Sequence, residues 1–250
     1  MTGWVELQTA LDAVAQRGDS IRVWWRDDDA GGDRPALGRL LDLAACHDLP
    51  LALAVVPMWL EPGAQARIAA SAQATVLQHG FAHANHGPRA AKSIELGKRG
   101  LEVIQSELER GRALLADAFG CAFLAVLVPP WNRLDDGLIE RLGACGFIGL
   151  STFGPRALPE AAPGVAQVNA HLDPIDWRGT RLFVGEVAAL TRLVAVLDAD
   201  EPIGILSHHL AMDEPGWRFL DRLLGVLAAH PGAVLCSAAD LFPTQPGLAP

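Results

Sequence analysis

Residues 21–29 of this 250-residue chain read IRVWWRDDD, an apolar run that ends in an arginine and three aspartates. The run predicts a β-strand over Ile21–Arg26 with the aspartates directly after it. Adjacent carboxylates repel one another, so a metal ion or an arginine must neutralise them where they are buried. The alternative is a solvated turn at Gly31-Gly32 in which Asp28 or Asp29 caps the next helix.

The alternation of short apolar runs with stretches of helical period continues along the chain, without a linker or a repeat. It predicts a single α/β domain over residues 1–250, with a long loop at Phe153–Arg181 that contains one short strand. The predicted strands are Ile21–Arg26, Leu51–Val56, Thr75–Leu77, Phe123–Val128, Phe147–Leu150, Ile203–Leu206 and Val234–Cys236. The predicted helices are Val5–Gln16, Pro35–Cys46, Ser93–Ala118, Asp135–Ala144, Glu186–Leu197 and Gly216–Ala229. This pattern is typical of a barrel with its chemistry at the carboxyl ends of the strands.

Composition and charge exclude several classes of partner. The chain has 20 basic and 29 acidic residues and a net charge of −9, which argues against binding to nucleic acid or to an anionic membrane surface. Its apolar run Leu49–Leu60 is too short to span a bilayer and is broken by prolines. The first residues lack the basic and apolar regions of a signal peptide, so we expect a cytoplasmic protein. Nothing in the sequence predicts an oligomeric state.

A histidine cluster follows the third predicted strand, where His79 and His83 are separated by three residues. Two imidazoles and one carboxylate, with a position left open for water, form a known catalytic zinc arrangement. His86 is a further candidate ligand, although Gly87-Pro88 directly after it indicates that the chain turns away. The alternative interpretation is that these are ordinary surface or core histidines.

Two more polar clusters lie near predicted strand ends. Ser207-His208-His209 follows the sixth strand, and Asp173-Pro174-Ile175-Asp176-Trp177 lies in the long loop. Alternation along the strand places Leu206 and His208 on one side, which favours His208 over His209 as a pocket residue. The alternatives are a structural histidine in the first cluster and an ordinary loop in the second.

Taken together and in this order, the clusters resemble the motifs of the polysaccharide deacetylase family, also called the NodB-homology family or carbohydrate esterase family four. The resemblance covers residues 21–240. Three motifs match well: His79-Gly80-Phe81-Ala82-His83 matches H-[ST]-x-x-H, the Asp173–Trp177 cluster matches D-x-x-D-W, and Leu206-Ser207-His208 matches L-x-H.

The first motif of the family, T-F-D-D-G, matches only in part. It aligns with Arg26-Asp27-Asp28-Asp29-Ala30, in which alanine replaces the glycine. The alignment implies that Asp28 is the catalytic base and Asp29 a metal ligand. A shift by one residue gives Asp27 and Asp28 instead.

The third motif, R-x-P-[FY], also matches only in part. It aligns with Val128-Pro129-Pro130-Trp131, which lacks the arginine that orients the base in the family. Arg26 or Arg133 is the candidate to supply that positive charge from another position, in an ion pair with Asp27 or Asp28.

The resemblance implies a distorted (β/α) barrel of about seven strands that removes an acetyl group from an N-acetylated sugar or polysaccharide. The bond hydrolysed is a carbon–nitrogen bond other than a peptide bond. A divalent metal ion, most often Zn²⁺ with Co²⁺, Ni²⁺ or Mn²⁺ as alternatives, would be held by Asp29, His79 and His83 and would polarise the acyl carbonyl.

The resemblance also implies an acid and a set of neighbouring residues around a carbohydrate or other small-molecule substrate. His208 would protonate the leaving amine, oriented by Asp173 or Asp176. Leu206 and Trp177 would wall a slot for the acetyl methyl group, and Trp131 would stack on a sugar ring. The residues expected to contact the substrate or support the site are Arg26, Pro130, Trp131, Arg133, Asp173, Asp176, Trp177 and Leu206.

Two other functions remain open from the sequence. The first is hydrolysis of another small N-acyl or cyclic amide on the same fold, which the absence of a signal peptide favours. The second is a barrel that binds a glycan or a partner protein without catalysis. The missing arginine and glycine favour this second alternative, whereas the retention of His79, His83, the aspartates and His208 disfavours it.

Overall fold

The computed structural model of the protein describes residues 2–89 and 91–242, in which strands and helices alternate as the sequence predicts. The strands are β1 (Ile21–Ala30), β2 (Leu51–Val55), β3 (Ala74–His79), β4 (Phe123–Val128), β5 (Gly149–Leu150), β6 (Glu160–Ala162), β7 (Val165–Gln167), β8 (Ile203–Ser207) and β9 (Ala233–Leu235). The helices are α1 (Thr2–Gln16), α2 (Pro35–His47), α3 (Pro62–Ala69), α4 (Leu101–Phe119), α5 (Asp136–Ile139), α6 (Glu186–Val194), α7 (Glu214–Ala229) and α8 (Ala238–Leu241). No helix of the described residues is long and apolar enough to cross a membrane.

Parallel pairing connects seven of the strands in the order β7, β5, β4, β3, β2, β1, β8. Two isolated parallel bridges, Phe153 with Ala170 and Leu172 with Ile205, continue the pairing from the segment after β7 to β8. The two ends of the sheet therefore meet, and the sheet closes into an irregular barrel. This agrees with the predicted distorted (β/α) barrel of about seven strands. β6 pairs with β7 antiparallel and β9 pairs with the first residues of β1, so both lie outside this ring.

Side chains of β1 alternate between two buried layers. Val23 and Trp25 belong to the core between the sheet and the helices, whereas Trp24 belongs to a second core inside the barrel. The same alternation places Arg26 and Asp28 on the side of Trp24 and leaves Asp27 on the side of Trp25. One strand thus delivers polar groups to both of its faces.

The first strand is longer than predicted, because it continues through the aspartates to Ala30. Its pairing with β2 shifts register between Asp27 and Ala30, which allows the strand to bend without ending. The alternative in which Asp28 or Asp29 caps the next helix is wrong, since Arg34 occupies the N-cap of α2.

The predicted helix at Ser93–Ala118 is wrong in its first part, because α4 begins only at Leu101. The backbone N–H of Lys98 donates to the carboxylate of Asp135 at 3.1 Å, and Lys98 has a positive φ of 62°. A β-carbon on Gly97 would lie 2.5 Å from the same carboxylate. This contact with a distant residue holds the segment before Leu101 as a loop. The local hydrophobic pattern cannot reveal such a contact.

Other elements also differ from the sequence predictions. The helix predicted at Asp135–Ala144 covers only Asp136–Ile139 and continues as turns. The sequence patterns missed the short helices α3 and α8. The long loop at Phe153–Arg181 contains two short strands, β6 and β7, instead of one.

Candidate metal-dependent active site

A cavity of about 1150 Å³ opens at the carboxyl ends of the barrel strands. Asp28 and Asp29 reach it from β1, His79 from the end of β3, Trp131 from the turn after β4, and His208 from the turn after β8. These are the positions at which parallel β/α barrels place their chemistry. The structure therefore brings together four of the polar clusters that follow predicted strands.

Three side chains in this cavity form a group that can hold a metal ion. The Nε2 atoms of His79 and His83 each lie 3.2 Å from the same carboxylate oxygen, Oδ1 of Asp29. One ligand atom from each residue fits within a 4.8 Å cluster. Oδ1 of Asp29 is buried and has no hydrogen-bond partner, as expected for an oxygen that coordinates a cation.

The backbone around Asp29 directs its carboxylate toward the histidines. Asp29 has a positive φ of 70°, and Gly31 follows at 147°. A β-carbon on Gly31 would lie only 2.9 Å from the side chain of Trp59, so that position requires glycine. Ala30 is not among the positive-φ residues. The alanine that replaces the motif glycine therefore fits this turn without strain.

The protonation state of His79 suits a metal ligand. Its Nδ1 lies 2.9 Å from the carbonyl oxygen of Val128, which can only accept a hydrogen bond. Nδ1 therefore carries a proton, which leaves Nε2, the atom that faces Asp29, as the ring nitrogen that could bind a metal ion. Two lone-pair-bearing atoms at 3.2 Å repel one another unless a proton or a cation lies between them.

The loop that carries His83 is held by Glu95, a residue that the sequence analysis missed. Glu95 is 1% exposed, and its carboxylate accepts hydrogen bonds from the backbone N–H groups of Phe81, Ala82 and Ala84 at 2.7–3.3 Å. Glu95 lies 12 residues beyond His83 in a stretch predicted as helix. No local signal connects it to the histidine loop.

The carboxylates of Asp28 and Asp29 place two negative charges close to the candidate metal ligands. Burial alone would raise the pKa of Asp29, but contact with His79 and His83 outweighs it and holds that pKa well below its ordinary value. Burial likewise works against charge on His79, yet the carboxylates of Asp29 and Asp28 raise its pKa. A divalent cation would neutralise this charge in place of a proton.

Asp28 is held by Arg26 from the same strand. Arg26 is fully buried. Its Nη2 donates a hydrogen bond of 3.0 Å to Oδ2 of Asp28, and its Nε lies 2.8 Å from Oδ1 in an ion pair. Arg26 also donates to Ser151 Oγ at 2.6 Å and to Asn132 Oδ1 at 3.0 Å. The predicted ion pair thus forms with Arg26. Arg133 instead donates to the carbonyl of Ser93 at 2.9 Å.

Asp27 belongs to a separate buried network behind the cavity. Its carboxylate contacts His209 Nδ1 at 2.5 Å, accepts from Ser207 Oγ at 2.6 Å and accepts from the backbone N–H of His209 at 3.0 Å. Trp25 Nε1 donates to Ser207 Oγ at 2.9 Å. Asp27 therefore cannot reach the metal group, and the shifted alignment with Asp27 and Asp28 is wrong.

His208 lines the cavity, although its chain neighbours Ser207 and His209 belong to this network. Its Nδ1 is buried, has no hydrogen-bond partner and lies 3.7 Å from Oδ2 of Asp173. Trp177 donates to the same oxygen at 2.6 Å and stands edge-on to the His208 ring at 4.8 Å. Burial raises the pKa of Asp173. Asp176 instead accepts the backbone N–H groups of Gly179 and Thr180, so Asp173 is the partner of His208.

Leu206 does not line the cavity, contrary to the sequence prediction. Its side chain is fully buried, and β8 ends at Ser207, so that strand alternation does not extend to His208. The pocket position of His208 was predicted correctly, but the alternation argument behind it is wrong. His86 is exposed and stands apart from the metal group.

The remaining predicted residues lie around the metal group. The ring of Trp131 packs at 4.4 Å from that of His83, and Trp59 packs against the same ring at 5.2 Å. Pro130 is buried, and a β-carbon on Gly80 would lie 2.6 Å from it. The sequence analysis missed Trp59, which lies directly after the second predicted strand and could have been found by the strand-end rule.

Comparisons with known proteins agree with this architecture. No model of a protein family matches the sequence, and no curated protein matches it either. Among solved structures, a putative polysaccharide deacetylase from Mycobacterium smegmatis is 17% identical with a TM-score of 0.66, covering 82% of this chain and 75% of that one. A peptidoglycan N-acetylglucosamine deacetylase is 16% identical with a TM-score of 0.63, covering 90% of each chain.

A further match bears on activity. A mutant of a CE4 family pseudoenzyme with restored enzymatic activity is 15% identical with a TM-score of 0.59, covering 89% of this chain and 67% of that one. The likeness to these structures shows that the chain has the fold of the CE4 polysaccharide deacetylases, as the sequence motifs predict. Catalytic and pseudoenzyme relatives share that fold.

Proposed function

We propose that this protein is a divalent-metal-dependent hydrolase that removes an acetyl group from an N-acetylated sugar or polysaccharide. The observation that carries the proposal is the buried, unpartnered Oδ1 of Asp29 at 3.2 Å from Nε2 of both His79 and His83. The same donor set, one oxygen and two imidazole nitrogens, suits Zn²⁺ and related ions. When bound, the ion supplies Lewis acidity toward the acyl carbonyl and the attacking water.

Asp28 is the proposed general base. Its two oxygens together offer about four lone-pair sites, so the bidentate contact with Arg26 leaves it able to accept a proton from water. The guanidinium also fixes the orientation of the carboxylate and balances its charge in a site that is 2% exposed. This arrangement supplies the role of the missing arginine of the third motif.

His208 is the proposed general acid, which protonates the leaving nitrogen. Asp173 lies 3.7 Å from its Nδ1 and is the group placed to orient the imidazole. Trp177 fixes the Asp173 carboxylate through its indole N–H. The base on β1 and the acid after β8 therefore reach the same cavity from the ends of two different strands.

The alternative of a non-catalytic barrel is favoured by one observation, the likeness to a CE4 family pseudoenzyme. Two features of the chain weigh against it. Arg26 replaces the missing arginine at the base, and the alanine in the first motif is compatible with the turn. Asp28 lines the cavity, is buried from bulk solvent and is paired with an arginine. A barrel that only binds glycan does not need such a carboxylate.

The test is acetate release from N-acetylglucosamine oligomers and from small N-acyl amides, with His208→Ala and His209→Ala compared. We expect the wild type to release acetate from the sugars. In His208→Ala the rate should fall by about 10²- to 10⁴-fold and the alkaline limb of the pH profile should flatten. The metal content of this variant should equal that of the wild type. Acetate from the small amides alone would support the second amide function. No acetate from any substrate with full metal loading, or equal rates in His208→Ala and wild type, would overturn the proposal.

A further inference from the structure

The cavity that holds the candidate metal group carries an unusual number of cationic side chains. Five line it, in a chain whose net charge is −9. They come from four parts of the chain: the loop before α4, the turn after β4, the end of the long loop, and α6. The five residues are Lys92, Arg133, Arg178, Arg181 and Arg192.

These cations have no acidic partners within the described part of the chain. No carboxylate lies within 4.0 Å of any of the five, as the ion pairs of the protein involve other residues. Arg133 and Arg192 are anchored only by neutral carbonyl groups, those of Ser93 at 2.9 Å and Asp173 at 3.3 Å. Each guanidinium has five donors, so each of these two keeps donors free.

The acidic residues of the same cavity are already engaged. Asp28 is bound by Arg26, and Asp29 contacts the two histidines. Asp173 accepts hydrogen bonds from Trp177 and from the backbone of Ile175, and Asp176 accepts two backbone N–H groups. A bound divalent ion would add two further positive charges. Together with Arg26, the five cationic side chains outnumber the four carboxylates, six to four, so the net charge of the side chains at the cavity is positive even without an ion.

We infer that the cavity contains a subsite for an anionic group, and that the substrate is an N-acylated saccharide bearing a carboxylate or a phosphate. Arginine is suited to this task because its planar fork matches both groups with two parallel hydrogen bonds. The inference rests on the proposed function, since it assigns the chemistry of the substrate to the same site. Arg133 and Arg192, being anchored, are the primary contacts, and Lys92, Arg178 and Arg181 strengthen the field around them.

The test compares three substrates that differ in charge: N-acetylglucosamine, its 6-phosphate, and N-acetylmuramic acid, whose carboxylate stands on a lactyl group. For wild type at low salt we expect kcat/KM for at least one anionic sugar to exceed that for the neutral sugar by about tenfold or more. The gain should come mainly from a lower KM for the anionic sugar, and it should shrink as salt is added. The phosphate and the carboxylate arms show which anion the subsite takes.

A variant series assigns the effect to the arginines. In Arg133→Gln/Arg181→Gln/Arg192→Gln, which removes both primary contacts, the ratio of kcat/KM for the anionic sugar to kcat/KM for N-acetylglucosamine should fall to near one. Arg218→Gln, whose arginine lies on the outside of α7 beside Glu214, is the matched control and should keep the wild-type ratio. A wild-type ratio near one at low salt, or an unchanged ratio in the triple variant, would overturn the inference.

Binding of inorganic phosphate distinguishes a failure of this inference from a failure of the proposed function. If no sugar is hydrolysed, calorimetric titration of metal-loaded wild type and the triple variant with phosphate still tests the subsite. Phosphate can bind the metal in both proteins, so only the difference between them reports on the arginines. Weaker binding by about tenfold in the variant supports the subsite, and equal binding overturns it.

Discussion

At the level of single residues, the ion pair between Arg26 and Asp28 balances the charge of a buried carboxylate in a chain that lacks the third-motif arginine. The sequence left both Arg26 and Arg133 open as the partner of Asp27 or Asp28. In the structure β1 continues through the aspartates, so strand alternation places Arg26 and Asp28 on one face. The partner of Asp27 was not predictable, because His209 lies 182 residues away. Local spacing therefore explains the contact of Arg26 with Asp28, whereas only the folded barrel shows the partner of Asp27.

Replacement of Arg26 by Met should lower turnover more than metal content. Arg26 contacts none of the three candidate metal ligands, but its loss leaves the buried Asp28 carboxylate without a counter-charge. We expect a loss of turnover of about 10²-fold or more and a fall of roughly 3–5 kcal/mol in the free energy of unfolding. The measurements are acetate release, elemental analysis and denaturant unfolding.

The control for this prediction is Arg156→Met. Arg156 pairs with the partly buried Glu201 at 3.5 Å and lies outside the cavity lining, so its loss should reduce stability and leave turnover intact. If Arg26→Met loses metal and activity in equal proportion, the role of Arg26 in orienting the base is contradicted.

At the level of elements, the end of β1 is joined to the end of β8 by the Asp27–His209 pair. Burial works to lower the pKa of His209, but the Asp27 carboxylate outweighs it, so that the pKa of His209 is raised. A histidine whose pKa is raised on folding contributes stability that is fully present below the pKa of the unfolded chain, about 6.5. That stability is lost as the pH rises through the raised value.

His209→Gln should therefore lower the free energy of unfolding by roughly 3–5 kcal/mol at pH 6, because it leaves a buried carboxylate unpaired. The double variant Asp27→Asn/His209→Gln removes both charges and should lose less. Denaturant unfolding between pH 6 and 9 should show wild type losing stability relative to the double variant as the pH rises. A difference that stays constant, or grows in favour of wild type, would contradict the charged pair.

The loop between β3 and α4 is a second element whose structure depends on one side chain. Glu95 holds three backbone N–H groups of the loop that carries His83. Glu95→Ala should weaken metal binding by about 10- to 100-fold, as loss of a residue that supports a ligand does. Titration with Zn²⁺ against a competing chelator measures the change. Glu102→Ala, in the exposed first turn of α4, is the control, and equal affinities in the two variants would rule out this role.

Element boundaries show where sequence patterns stop being informative. The apolar strands β2, β4 and β8 were predicted within one residue, because their hydrophobic runs are unbroken. The start of α4 was predicted eight residues too early, since a hydrogen bond from Lys98 to Asp135 overrides the local helical pattern. Short elements such as α3 bury few side chains and leave only a weak periodic signal.

At the scale of the whole molecule, the order of strand ends predicted the fold and the meeting of the polar clusters, and the resemblance to the deacetylase motifs supplied the members of the metal group. The parallel strands bring Asp29, His79 and His83 to one end of the barrel although 54 residues separate the first from the last. The cationic lining was not predictable in the same way. Four of its residues lie in loops without regular period and Arg192 lies on α6, and only the closed barrel shows that they share a cavity with the metal group.

The central claim is that Asp29, His79 and His83 hold one divalent ion that hydrolysis requires. The most direct measurement is elemental analysis together with acetate release on the same samples, purified without chelator or affinity metal, for wild type, His79→Ala and His83→Ala. We predict about one divalent ion per chain in wild type, strongly reduced metal content and activity in both variants, and recovery of chelated wild type on adding metal. Equal metal content in wild type and both variants would contradict the claim.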